Sequence, residues 1–244
     1  RYNPASWPLF VAADAEFKEL KRFEATDGDA LATGLDTVAA EYEKKMSGDP
    51  KNATARDAAL FAFALKSDVE ADRLDPLERL VSRRATEALP ALAKGLTDES
   101  RRLRERLIGV MADLDPKLGL PHLLASVDKE LNPRLRDLAW EAIGRAVNAT
   151  GDGAGYKALT RGILSDPYDV VVARIRGLGQ VKRVEAVDGL LAVAPKFKPD
   201  AGGQDPAGDA IRDALGKLTG QTFGKDWAKW SAWWGGAREG FKFP

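Results

Sequence analysis

His122 is the only histidine in the chain, and there is no cysteine. One imidazole cannot build a multi-histidine metal site, and it leaves a Ser–His–Asp triad with one possible base. Without thiols there is no disulfide, no thiolate nucleophile, no Cys-ligated zinc and no iron–sulfur cluster. His122 stands in Gly119-Leu120-Pro121-His122-Leu123, in the first turn of an expected helix. It reads as a solvent-facing polar residue there, with a lone base or ligand as the alternative. No serine sits in a Gly-x-Ser-x-Gly elbow, so nucleophilic hydrolysis has no scaffold. Asp200, Asp205 and Asp209 surround Gly202-Gly203 and invite a comparison with calcium, which takes six or more oxygens. Their spacing is not that of an Asp-x-Asp-x-Asp-Gly loop, and a solvated insertion with a helix cap explains them. Thr150-Gly151-Asp152-Gly153-Ala154-Gly155 has the glycine content of a phosphate cradle. It lacks the Gly-Lys-Ser/Thr and the preceding strand, so it reads as a loop between helices.

Two clusters could bind rather than catalyse. Arg101, Arg102, Arg104 and Arg106, with Arg83 and Arg84 before them, form a local basic patch. Glu99 and Glu105 dilute it, and the 37 basic residues of the chain are balanced by 37 acidic ones. Zero net charge removes the long-range pull toward nucleic acid or an anionic membrane. The patch reads as a solvated helix face with weak ion pairs; a phosphate-bearing or acidic protein partner is the alternative. Trp227, Trp230, Trp233 and Trp234 supply four of the six tryptophans. Trp227, Trp230 and Trp234 follow i, i+3, i+7 on one helical face, with Phe223 nearby. Such a row can bind sugars, bases or peptides, but a stack of helices also needs a closing helix at its open end. The cap is the preferred reading, and it leaves Trp233 off the face. No residue is assigned to catalysis, to a cofactor or to a metal, and the ligand-binding residues stay open.

At 244 residues the chain is one large domain or two small ones, and 30% charged with 44% hydrophobic residues is the balance of a folded soluble protein. No run of 18 apolar residues exists to form a transmembrane helix. The opening at Arg1 fits a removed signal peptide as well as it fits an internal boundary. The hydrophobic period is helical nearly throughout. Phe10, Ala13, Phe17 and Leu20 step by three and four, as do Leu31, Leu35, Val38, Tyr42 and Met46. Leu103, Leu107, Val110, Met111 and Leu114 form another stripe, followed by Leu120, Leu123, Leu124, Val127 and Leu131, and by Val187, Leu190, Leu191 and Ala194. Each stripe must pack on a neighbour. Alternation of strand length is absent, which predicts an all-α fold. Asx-Pro pairs at Asp49, Asp75, Asp115, Asn132, Asp166 and Asp205 predict helix starts, with the Asx side chain accepting first-turn amides and Pro at the first helical position.

These starts repeat. Asp98, Asn132, Asp166 and Asp205 are 34, 34 and 39 residues apart, and Gly109, Gly144, Gly179 and Gly216, near the expected helix ends, are 35, 35 and 37 apart. Second helices are expected over 119–131, 154–165, 184–195 and near 225–235, with a polar insertion at 195–203 lengthening the last interval. A two-helix unit of this period cannot bury its own stripe and must stack into a solenoid.

Asn132-Pro133-Arg134-Leu135-Arg136-Asp137-Leu138-Ala139-Trp140-Glu141-Ala142-Ile143-Gly144 resembles the first-helix pattern of HEAT-type repeats. The tail Leu215-Gly216-Lys217-Leu218-Thr219-Gly220-Gln221-Thr222-Phe223-Gly224, with the tryptophans after it, is similar to the ends of bacterial HEAT-repeat proteins, many of them exported. The resemblance implies an α-solenoid over 85–244 closed by a Trp-rich capping helix, with 1–84 as an N-terminal helical segment packed on it. For function it implies the role of holding partners, and the chain is expected to be a non-enzymatic scaffold or adaptor for another protein, a subunit of a larger assembly, without cofactor; zero net charge adds the expectation of no tight nucleic-acid binding. A place outside the cytoplasm is preferred to one inside. An enzyme on the same scaffold, of the DNA-glycosylase or bilin-lyase type, or ligand binding through the C-terminal tryptophans, is the alternative.

Overall fold

The computed structural model of the chain describes residues 9–13, 19–24, 33–34, 36–38, 50–197 and 204–244. The chain divides into two compact units, Arg1–Arg83 and Arg84–Pro244. Among the described residues the fold is all-α apart from one two-stranded ribbon in the first unit. There β1 (Leu9–Ala13) pairs antiparallel with β2 (Glu19–Glu24), Phe10 opposite Phe23. The stripe from Phe10 to Leu20 predicts a helix at this place, and the ribbon corrects it. Lys21 pairs with Ala12 and Glu19 with Ala13, so Leu20 is an extra residue at an irregularity in the ladder. An inserted residue shifts the period-two phase and imitates a helical step, and a short apolar run such as Leu9–Ala13 carries no period of its own. Phe17, Leu31, Leu35, Tyr42 and Met46 lie outside the described residues, as does Asp49.

Helices α1 (Pro50–Ala64) and α2 (Glu70–Ser82) pack on each other in the same unit, with Phe61, Leu77 and Leu80 wholly buried. Asp57 is fully buried and would be prohibitively placed without cations. Arg79 Nε donates to it at 3.1 Å and Arg83 also donates to it, tying the two helices by charge. Asp75-Pro76 does not start a helix as expected. Pro76 lies inside α2, buried, because Glu70 already opens that helix one and a half turns earlier.

The second unit is a double layer. A short helix, α3 (Leu89–Leu92), precedes α4 (Arg101–Asp113), α5 (Pro116–Ser126), α6 (Pro133–Thr150), α7 (Gly153–Thr160), α8 (Tyr168–Leu178), α9 (Val184–Val193), α10 (Pro206–Thr219) and α11 (Trp227–Ala237). Helix α4 packs on α6, α6 on α8, and α8 on α10, forming one row. The alternate helices lie behind, where α5 meets α7 and α9 meets α11. Side chains from both layers make the core, with Leu103, Leu107, Leu135, Ile143, Ile175, Val187, Ile211 and Leu215 among its members. Asp115, Asn132 and Asp205 cap their helices as expected, accepting from Leu118, Leu135 and Gly208 amides at 3.0, 3.2 and 2.8 Å. Asp98 does not cap α4: Ser100 takes that place, accepting the Leu103 amide at 3.1 Å, while Asp98 holds the Ser100 amide. The stripe ending at Leu131 overshoots its helix. Helix α5 stops at Ser126 and a single 3₁₀ turn follows, so Leu131 is 88% exposed.

The regular glycines do not share the one cause expected. Gly109, Gly144 and Gly216 lie inside helices, and only Gly179 stands at a helix end. A Cβ at Gly144 would overlap the Gly177 carbonyl, and one at Gly177 would come within 2.5 Å of the Trp140 carbonyl. So α6 and α8 touch backbone to backbone. Polar links run along the row at separations of 32 to 37 residues. Arg136 pairs with Asp169, 33 residues on, and Arg145 with Asp113, 32 residues back; the Lys182 amide donates to Asn148, 34 residues back, and Lys217 to Gln180, 37 residues back.

Gly144→Ala should therefore destabilise the chain by about 1–3 kcal/mol through forced helix separation. At Gly109 a Cβ would meet nothing within 4 Å, so Gly109→Ala should be neutral or stabilise by up to about 1 kcal/mol. Urea unfolding of the two variants checks this, and equal effects would contradict the close approach.

Candidate functional site

An open groove of about 700 Å³ crosses three helices of the row. Glu141 stands on α6, Arg176 on α8 with Gln180 in the turn just past its end, and Asp209, Asp213 and Lys217 on α10. The spacing by four places the α10 set on one helical face. The floor is made of small residues: Gly179 lies so near α10 that a Cβ there would come within 2.8 Å of Ala214 Cβ. Small residues let the helices close up and leave longer polar side chains to form the walls. Arg176 pairs with Asp137 behind the groove. Burial pushes the Asp137 carboxyl above its ordinary range, against the opposing pull of Arg176 and Arg136. Glu141 is half-buried and has no ion-pair partner among the described residues.

At one end of the groove Lys225 Nζ lies 2.9 Å from Asp209 and 3.3 Å from Asp205. The hydrogen bond from Lys225 holds the Asp209 carboxyl below its ordinary range, and Arg212 adds to the effect. An ammonium thus occupies the place between the two carboxylates where a cation would sit. Asp200, the third member of that set, lies outside the described residues. Among the described residues no group of three or more His, Asp or Glu side chains is arranged to hold a metal ion.

The other sequence candidates take structural places. His122 is half-buried in the second turn of α5. Gly151 ends α6 with φ 76°, a left-handed conformation that glycine adopts freely, and Asp152 then caps α7 by accepting the Gly155 amide at 2.6 Å. The glycine-rich stretch is a tight turn between helices. Two members of the basic patch are engaged within the fold, Arg83 by Asp57, and Arg104 by Glu130 at 2.7 and 3.1 Å and by the Asp98 and Glu99 carbonyls, whereas Arg84, Arg101 and Arg102 are exposed.

Asp166 does not cap α8. The helix has no side-chain cap, and the Asp166 carboxylate instead pairs with Arg174, which is 5% exposed. Arg174 also donates to the Ala158 and Arg161 carbonyls at the end of α7. Ion pairing prevails because a buried guanidinium without a carboxylate is far costlier than a missing cap.

In the tail, Trp230 is fully buried and Trp234 is 4% exposed, while Trp227 is half-buried. Trp234 Nε1 donates to Asp188 of α9 at 2.7 Å, and Arg238 forks onto the same carboxylate. The hydrogen bond from Arg238 lowers the Asp188 carboxyl below its ordinary range. Trp233, left off the apolar face by its spacing, lies within 5.8–6.1 Å of the Phe223, Trp230, Trp234 and Phe241 rings. It is the centre of the aromatic cluster. Glu141, Gln180 and Lys217 are not among the sequence candidates. The spacing of Asp209, Asp213 and Lys217 is visible in the chain, but not which helices bring their polar faces beside it.

Comparison with protein-family models and with curated proteins finds no match for the chain. No helix among the described residues is long and apolar enough to cross a membrane.

Asp166→Ala should lower stability by about 2–4 kcal/mol, more than a lost cap, because Arg174 keeps its buried charge. Arg174→Met in the same chain should recover part of that loss, and strict additivity in chemical denaturation would argue against the pair. Trp230→Ala should cost about 3–5 kcal/mol, whereas Trp227→Ala should cost clearly less; thermal unfolding ranks them.

Proposed function

We propose that residues 84–244 form a HEAT-like solenoid acting as a non-enzymatic scaffold, which holds another protein across the face of α6, α8 and α10. The observation that carries this reading is the groove itself. It is open, crosses three successive helices, and is lined by side chains of both charges, Glu141, Asp209 and Asp213 against Arg176 and Lys217. A surface of that kind suits an extended partner segment with alternating charge, since complementary charges fix register and orientation more than they add affinity. The polar links at one-repeat separations support the solenoid reading, because contacts in such stacks run between neighbouring units. Arg83 and Arg104 being engaged by Asp57 and Glu130 supports weak rather than tight binding of duplex DNA.

A photo-crosslinking residue at Gln180 should capture a single protein from the native source. Glu141→Lys with Asp213→Lys should weaken that protein's binding by at least tenfold, since like-charge juxtaposition at an interface costs several kcal/mol, while leaving the melting temperature unchanged. Capture of the same protein through the exposed Lys94 position, or binding indifferent to the charge reversal, would overturn the groove as the docking surface.

A further inference from the structure

The groove contains one carboxylate that its own cations do not serve. Arg176 pairs with Asp137, and Lys217 donates to the Gln180 side-chain oxygen. Arg145, one turn on from Glu141 along α6, pairs with Asp113 at 3.3 Å. The aspartates of the lining are provided for: Lys225 lies 3.3 Å from Asp205 and 2.9 Å from Asp209, and Arg212 lies 2.7 Å from Asp209 and 2.8 Å from Asp213. The half-buried Glu141 carboxylate is left with no hydrogen bond or ion pair among the described residues. A carboxylate partly removed from water and left unpaired is costly, and a cation that reaches it offsets that cost. The wider balance has the same sign. Four carboxylates line the groove, with Asp137 behind Arg176 as a fifth, against the four cations Arg176, Arg212, Lys217 and Lys225. Gly144, one turn beyond Glu141, lies so close to Gln180 that a Cβ there would stand 3.0 Å from the Gln180 Cβ. Next to Gln180, Gly179 and Ala214 form a buried floor with no long side chain of its own.

We propose that the groove takes an arginine side chain of the partner protein, with its guanidinium on Glu141 and its aliphatic stem on the floor of Gly179 and Ala214. The proposal rests on the groove being the docking surface and adds which residue the partner supplies there. A long side chain with an apolar stem and a charged head suits a floor of small residues beside a carboxylate. The planar guanidinium forks onto a carboxylate with two hydrogen bonds and is weakly hydrated, so a half-buried acid favours it over the compact, strongly hydrated ammonium of lysine. A divalent metal ion would find a single unpaired carboxylate, too few oxygens for its shell.

The full chain labelled with ¹⁵N at its glutamine side chains reports on this directly, since Gln180 and Gln204 line the groove and Gln221 does not. The Gln180 signal is the one lost in Gln180→Met. Titration with acetyl-Gly-Ser-Gly-Arg-Gly-Ser-Gly-amide should move that signal and saturate, while Gln221 stays in place. The lysine counterpart should bind roughly threefold more weakly, having a point charge in place of the fork. The citrulline counterpart, of the same shape without the charge, should leave the signal unmoved. Glu141→Gln should weaken the arginine peptide by about fivefold, the scale of a partly exposed ion pair, at an unchanged melting temperature. Glu185→Gln on α9, outside the groove, should not change it. No movement with the arginine peptide, a lysine or citrulline counterpart that binds as tightly, or indifference to Glu141→Gln would overturn the proposal. If the protein captured at Gln180 binds the Glu141→Gln chain as tightly as the unaltered one, the arginine site falls and the groove remains the docking surface. If Gln180 captures no protein and the arginine peptide still saturates, the arginine site stands and the scaffold reading falls.

Discussion

No side-chain carbon fits at Gly144, because the Gly177 carbonyl of the next helix in the row is already there. The second unit is organised around that closeness. Helices that touch backbone to backbone exclude large residues from the seam, so the bulk of the core moves to the interface between the layers, where Leu103, Leu135, Ile143 and Ile175 are buried. The same closeness brings the outward side chains of neighbouring helices within ion-pair reach. Arg136 reaches Asp169, and Arg176 reaches Asp137. The groove on α6, α8 and α10 exists because small residues form its floor and long polar ones its walls.

Arginine does a second kind of work at the edge of the row. Arg104 joins the start of its own helix, at the Asp98 and Glu99 carbonyls, to Glu130 at the end of the turn after α5. Arg174 joins Asp166 at the start of α8 to two carbonyls at the end of α7. In both cases a planar fork satisfies several acceptors that arrive from different elements, a geometry a lysine could not reproduce. Arg104, part of a basic run in the sequence, behaves like Arg174 as an internal fastener in the structure. Lys157 and Arg161, both exposed, sit beside the second fastener.

Much of the fold was legible because the period of the apolar residues and the helix caps agree with each other. Asp115, Asn132 and Asp205 open their helices as their types demand. The glycine spacing has no single cause: Gly144 and Gly179 sit at close approaches between helices, whereas Gly109 and Gly216 lie inside helices with room for a side chain. Asp166 shows where such reading runs out. The same Asp-Pro pair can cap or pair with an arginine, and the choice depends on where Arg174 points, which is a tertiary fact. Leu20 illustrates a second failure, in which one extra residue in a strand imitates a helical step. The groove was least legible: its residues come from three helices, and no local pattern tells which polar faces will adjoin.

Asp188 of α9 accepts from Trp234 and Arg238, 46 and 50 residues further along. The order of synthesis thereby acquires a meaning. A nascent chain presents α9 before α11, which packs on it, has been made. During that interval Asp188 has neither of its donors, and closure over this carboxylate waits on the synthesis of Trp234 and Arg238.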